Sequence, residues 1–129
     1  MNYLSSLKEK VIHYDLKPTN IIFHEGVIKV VDFGLCKVIE ESDETRIELT
    51  SQGVGTYYYL PPETFEDFNP HISSKVDVWS VGVIFFEMLF GRRPFGHGLS
   101  QTQIVQQGVI LKAKKIDFPQ DLCKKYKIS

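Results

Sequence analysis

The run from Val76 to Phe90 leaves the chain few ways to fold. Wound as a helix, its apolar residues Val76, Val78, Trp79, Val81, Val83, Ile84, Phe85, Phe86, Met88, Leu89 and Phe90 point in every direction, the pattern of a helix buried on all sides. Ser73-Ser74 suits its N-cap, with Asp77 three residues after Ser74 in a box-like arrangement, and Gly91 followed by Pro94 closes it. The spacing predicts a helix to about Phe90 at the centre of the core. A chain of 129 residues, 43% of them apolar, can bury one such core. The most apolar stretch, Val81 to Phe90, contains Glu87 and is about half of what a membrane span needs. The opening MNYLSSLKEK has no apolar signal core, so neither secretion nor membrane insertion is supported.

The remaining pattern makes the fold class α+β. Tyr3, Leu4 and Leu7 have helical spacing, so Met1 to Lys10 reads as the end of a helix. After Val11-Ile12, the polar run His13 to Asn20 is a loop, since Pro18 lacks a backbone donor. Ile21 to Phe23 and Val27 to Val31, separated by His24-Glu25-Gly26, read as an antiparallel hairpin. From Gly34 to Tyr59 the chain is polar, with an acidic cluster at Glu40, Glu41, Asp43 and Glu44, and no long regular element is indicated. So long a connection is unusual unless it is functional. A weaker helix is expected over Gln101 to Gln107, and Lys124 to Ser129 reads as frayed.

A net charge of −1 gives no general attraction to nucleic acid or anionic lipid, so phosphate chemistry must come from a local site. Cys36 and Cys123 read as free thiols, which favours a reducing compartment. His24, His71 and His97 lack metal-ligand spacing, and Lys112, Lys114 and Lys115 read as a solvated face. Gly53-Val54-Gly55 lacks the third glycine of a nucleotide loop.

A hairpin brings its two ends together, so Asn20 before the first strand and Asp32 after the second must lie close in space. They offer hard oxygen ligands of the kind Mg²⁺ takes when nucleotide phosphates and water complete its shell. Asp15 and Lys17, on the same loop as Asn20, would sit beside such an ion, one able to accept a proton and the other to neutralise phosphate charge.

The run His13-Tyr14-Asp15-Leu16-Lys17-Pro18-Thr19-Asn20 resembles the protein-kinase catalytic loop. Asp32-Phe33-Gly34, then Pro61-Pro62-Glu63, then Asp77-Val78-Trp79-Ser80-Val81-Gly82 resemble, in order, the kinase Mg²⁺ motif, the end of its activation segment and the central helix of its C-terminal lobe. The stretch Glu48 to Glu63, the His-Tyr-Asp form of the loop, and Gly91-Arg92-Arg93-Pro94-Phe95-Gly96-His97 are similar to the Tousled-like serine/threonine kinases. The similarity covers roughly Val11 to Pro119. The organisation expected is a partial kinase domain over residues 1–119 and a divergent, frayed tail over 120–129.

The resemblance implies a protein-kinase-like fold in part: a mainly α-helical C-terminal lobe with a catalytic-loop β-hairpin and no N-terminal lobe. It implies ATP and Mg²⁺ as cofactors. Asp15 would accept the substrate hydroxyl's proton, Lys17 would offset charge on the transferred phosphoryl group, and Asn20 and Asp32 would hold the metal. Thr56 with Lys17 would brace Asp15 in the serine/threonine pattern, and Asp77 would hold the loop backbone from below, unless it only caps its helix. His13 and Gly34 would be supporting residues, and Glu63 would pair with an arginine further along, for which the chain offers no candidate. Tyr14 stands where many kinases carry the arginine that clamps a phosphorylated activation loop, so Thr50 and Ser51, as phosphorylation sites, would modulate activity only modestly. Tyr57-Tyr58-Tyr59 reads as packing of the substrate-binding loop.

No Gly-rich phosphate loop, strand lysine or heptad stretch is found, so the chain is expected to be a piece, inactive and marginally stable alone. By resemblance, the substrates would be proteins of the histone-chaperone type and the setting nuclear. The full-length protein would oligomerise through a coiled coil. The competing reading is a non-catalytic product that keeps a substrate-docking surface as a decoy or scaffold.

Overall fold

The computed structural model describes residues 9–40, 56–66 and 72–127. The first strand, β1 (Glu9–Ile12), leads directly into the polar loop. A 3-10 turn at Pro18–Asn20 follows, then β2 (Ile21–His24) and β3 (Val27–Val30), paired antiparallel with Ile21 opposite Val30 and His24 opposite Val27. Glu25 and Gly26 join them at φ 51° and 76°. Both angles are left-handed, which matches the twist of the flanking strands and makes this two-residue turn favourable. The Val31 N–H donates to the Asn20 carbonyl at 2.9 Å, closing the open end of the hairpin.

A second two-stranded sheet pairs β1 with β4 (Lys37–Glu40), Ile12 opposite Lys37. This corrects two expectations. Glu9 and Lys10 are strand rather than helix end, and a strand stands inside the stretch read as irregular. Each strand is only four residues long, and its pairing is fixed by the partner strand rather than by local periodicity.

The central helix, α1 (Lys75–Phe90), closes with Gly91 at φ 67° and its N–H on the Glu87 carbonyl at 2.8 Å. Its buried face carries Val76, Asp77, Ser80, Val83, Ile84, Phe86 and Phe90. Burial all round is not observed: Val78, Val81, Phe85, Met88 and Leu89 are exposed, because no described residue packs over that side. The capping box is also absent. Ser74 is itself helical in conformation and makes no side-chain cap, while Asp77 turns inward to other partners.

Two buried clusters hold the site. Ile12, Tyr14, Leu60, Ile72 and Val76 form one, with Leu35, Tyr57 and Phe65 packed against it. Leu16, Tyr59, Val83 and Ile84 form the other, with Ile21, Tyr58 and Trp79. Both join the loop to α1 and to the segment after residue 56. Helix α2 (Gln101–Gln107) lies where the sequence predicts a helix. Helix α3 (Gln120–Lys125) occupies part of the stretch read as a frayed tail, with Asp121 in its first turn and Lys124 and Lys125 in its last, the charge order a helix dipole favours. No helix among the described residues is long and apolar enough to cross a membrane.

Candidate active site

Asp77 sets the loop. Its two carboxylate oxygens accept the backbone N–H groups of His13 at 2.8 Å and Tyr14 at 3.0 Å. Two charge-assisted bonds from one buried carboxylate fix both peptides at once. Tyr14 adopts φ 68°, an uncommon angle for a bulky residue, with its ring buried in the first cluster. Burial, with Tyr57 nearby, pushes its phenol up to about 12. The neighbouring His13 ring receives the Asp15 N–H on Nδ1 at 3.3 Å and donates from Nε2 to the Val31 carbonyl at 3.2 Å. It also meets the Phe33 ring edge-on at 5.0 Å. In this way the loop is tied to the end of the hairpin.

Asp15, Lys17 and Thr56 close a ring of polar contacts. Lys17 Nζ lies 2.9 Å from Asp15 Oδ2 and donates to Thr56 Oγ1 at 3.1 Å, and the Thr56 hydroxyl donates to Asp15 Oδ1 at 3.1 Å. Asn20 Nδ2 donates to the Asp15 carbonyl at 2.9 Å and to Asp15 Oδ2 at 3.3 Å. A carboxylate offers about four acceptor positions, so these three bonds leave one, on Oδ1. The nearly buried Asp15 is thus held rigid with a single lone pair free for a further donor.

Asn20 and Asp32 fit a divalent cation. The Asn20 amide nitrogen is committed to Asp15, leaving its Oδ1 as a neutral acceptor. Asp32, at φ 63°, presents an exposed carboxylate, with the Gly34 N–H on Oδ1 at 3.3 Å. A side chain on Gly34 would crowd that same oxygen, its Cβ coming within 3.2 Å. The bond from Val31 to Asn20 keeps the two residues at one end of the hairpin. Two hard oxygens in a polar, solvent-open setting suit Mg²⁺ better than zinc. Nearby, the Cys36 thiol is pushed up by burial and, to a lesser degree, by the charges of Asp77 and Asp32.

The three tyrosines form a wall beside Thr56, in a 3-10 turn at Tyr57–Tyr59. Tyr57 packs on Phe65, and the Arg93 guanidinium stacks 3.5 Å above the Tyr58 ring. The Tyr59 hydroxyl donates to Glu87 Oε2 at 2.8 Å; burial and that bond raise its phenol well above the usual value. Sequence reasoning assigned no role to Glu87, Arg93 or Gln101. Glu87 could have been found as the one acidic residue within the most apolar stretch of the helix, whereas Gln101 carried no such signal. Glu63 lies in a 3-10 turn at Pro62–Phe65 and makes no ion pair with the described residues. Thr50 and Ser51 lie outside the described residues.

Residues 1–128 match the protein kinase domain family. Among curated proteins the chain is 60% identical to serine/threonine-protein kinase TOUSLED of Arabidopsis thaliana over 120 residues, 91% of this chain and 17% of that relative. It is 52% identical over 128 residues to serine/threonine-protein kinase tousled-like 2 of Homo sapiens, covering 92% of this chain and 17% of that protein. For serine/threonine-protein kinase tousled-like 1 of Caenorhabditis elegans the identity is 50% over 124 residues, with 91% and 13% covered. The chain therefore spans less than a fifth of the length of these relatives.

Proposed function

This chain belongs to the protein kinase domain family, and from that premise we propose that it carries the phosphoacceptor side of a Tousled-like serine/threonine kinase site. The observation that carries the reading is the closed contact among Asp15, Lys17 and Thr56, with one Asp15 lone pair left over. A serine or threonine hydroxyl bonded there is oriented for attack and gives its proton to Asp15. The acceptor oxygen forms a bond to the γ-phosphorus of ATP as the bond to the β-phosphate oxygen breaks, and ADP leaves. Lys17, held between Asp15 and Thr56, offsets negative charge on the transferred group. Asn20 and Asp32 would hold Mg²⁺, which supplies neutralising charge to the nucleotide phosphates.

Resemblance to the Tousled-like kinases extends the proposal to substrates of the histone-chaperone type, a nuclear setting and oligomerisation of the full-length protein through a coiled coil. The test is phosphotransfer from ATP to a serine-containing protein substrate by the full-length protein. Asp15→Asn and Asp32→Asn are each expected to lower kcat by about a thousandfold or more. Transfer at the wild-type rate in Asp15→Asn would overturn the reading.

A further inference from the structure

Thr56 occupies the N-cap position of the Tyr57–Tyr59 turn, with extended backbone angles, φ −105° and ψ 99°. A threonine there ordinarily turns its hydroxyl onto the second or third N–H of the turn. Thr56 makes no such cap; its hydroxyl donates to Asp15 and accepts from Lys17. The turn's first N–H, that of Tyr57, is satisfied from elsewhere: Gln101 Oε1 accepts it at 2.8 Å, from 44 positions along the chain.

Gln101 can do this because its helix is itself firmly placed. Ser100 Oγ accepts the Gln103 N–H at 3.2 Å and Gln103 Oε1 accepts the Ser100 N–H at 2.9 Å, a complete capping box. Ile104, one turn on and fully buried, sits against Gly96 so closely that a Cβ on Gly96 would fall 2.8 Å from Ile104 Cδ1.

We infer that Gln101 is a positioning residue for phosphoryl transfer: by holding the Tyr57 N–H it fixes the peptide that joins Thr56 to Tyr57, and with it the direction in which the Thr56 hydroxyl reaches Asp15. The inference rests on the kinase reading of the site. Without the Gln101 acceptor, the peptide joining Thr56 to Tyr57 is free to rotate, the Thr56 hydroxyl swings away, and Asp15 loses a bond on the oxygen that receives the substrate hydroxyl.

The test compares Gln101→Met, of similar size but without the acceptor, with Gln101→Glu, which keeps it, in the full-length protein. Gln101→Met is expected to lower kcat about five- to tenfold with the KM for ATP unchanged, and Gln101→Glu to stay within about twofold of wild type. In a Thr56→Val background, where no hydroxyl is left to position, Gln101→Met should add no further loss. Hydrogen exchange at the Tyr57 amide should accelerate in Gln101→Met and not in Gln101→Glu. Equal loss in both variants, or full additivity with Thr56→Val, overturns the inference. An inactive wild type would instead defeat the kinase reading, and Tyr57 exchange then decides for or against Gln101 as the cap.

Discussion

The hydroxyl of Thr56 lies 3.1 Å from the carboxylate of Asp15, a bond made across 41 positions of sequence. It joins the segment after residue 55 to the loop that carries Asp15, and Lys17 bonds both ends of it. A residue so placed controls the orientation of Asp15 without donating or accepting the transferred proton. Thr56→Val is expected to reduce kcat by about ten- to a hundredfold, and Thr56→Ser to restore most of it, in steady-state phosphotransfer kinetics. Wild-type turnover in Thr56→Val would remove Thr56 from the site.

Asp77 is the support whose loss should be felt most in stability. It is 2% exposed, and its removal orphans two backbone donors. Asp77→Ala is expected to destabilise the fold by about 2–5 kcal/mol and Asp77→Asn by about half of that, read from urea unfolding midpoints. Equal midpoints for wild type and Asp77→Ala would show that the loop is held by other contacts.

Alkali should loosen the core once the pH passes the ordinary tyrosine value. Tyr14 is raised from 10.0 to about 12, and Tyr59 is raised further, so the unfolded chain loses these protons first. The protonated phenols' contribution is fully present below pH 10 and fades as pH climbs through about 12, worth on the order of 2–3 kcal/mol for Tyr14. The raised Cys36 thiol acts with the same sign. Unfolding free energy measured from pH 8 to 12 should fall above pH 10, and Tyr14→Phe should flatten part of that fall. A stability flat over this range would contradict the burial of both rings.

Tyr14 is 3% exposed and uncharged, so it offers no guanidinium to a phosphate on Thr50 or Ser51. Thr50→Ala and Ser51→Ala are accordingly expected to change kcat modestly in the full-length protein. A loss of about a thousandfold from either substitution alone would show that a phosphate clamp operates through another residue.

The outer side of α1 is apolar and open, with Phe85 59% and Met88 75% exposed beside a groove of about 310 Å³ that reaches Phe95 and Phe118. A patch of this kind associates in water. The 129-residue chain is expected to self-associate at micromolar concentration in sedimentation experiments, and Phe85→Glu with Met88→Glu to shift it toward monomer. A monodisperse monomer before substitution would argue against an accessible face.

The parts legible in sequence were those written in neighbouring residues. The β2–β3 hairpin follows from β-branched runs around Glu25-Gly26, the loop from Pro18, and the end of α1 from Gly91. The nearness of Asn20 and Asp32 follows from the hairpin alone, because antiparallel strands return to their starting end. β4 was not legible, since Lys37–Glu40 becomes a strand only through β1. Nor was the exposed side of α1, because an all-apolar helix carries no periodic mark of which face is covered.

By itself the sequence determined the hairpin, the central helix, the helix over Gln101–Gln107 and the residue types brought to the site. Tertiary structure alone decided what those side chains do there. Asp77 could cap its own helix, and Thr56 its own turn, by purely local rules. In the folded chain Asp77 accepts the His13 and Tyr14 amides, and Thr56 gives its hydroxyl to Asp15. The physical reason is burial: a polar group enclosed by the fold must find a partner, and which partner is within reach depends on the packing of segments far apart in the chain.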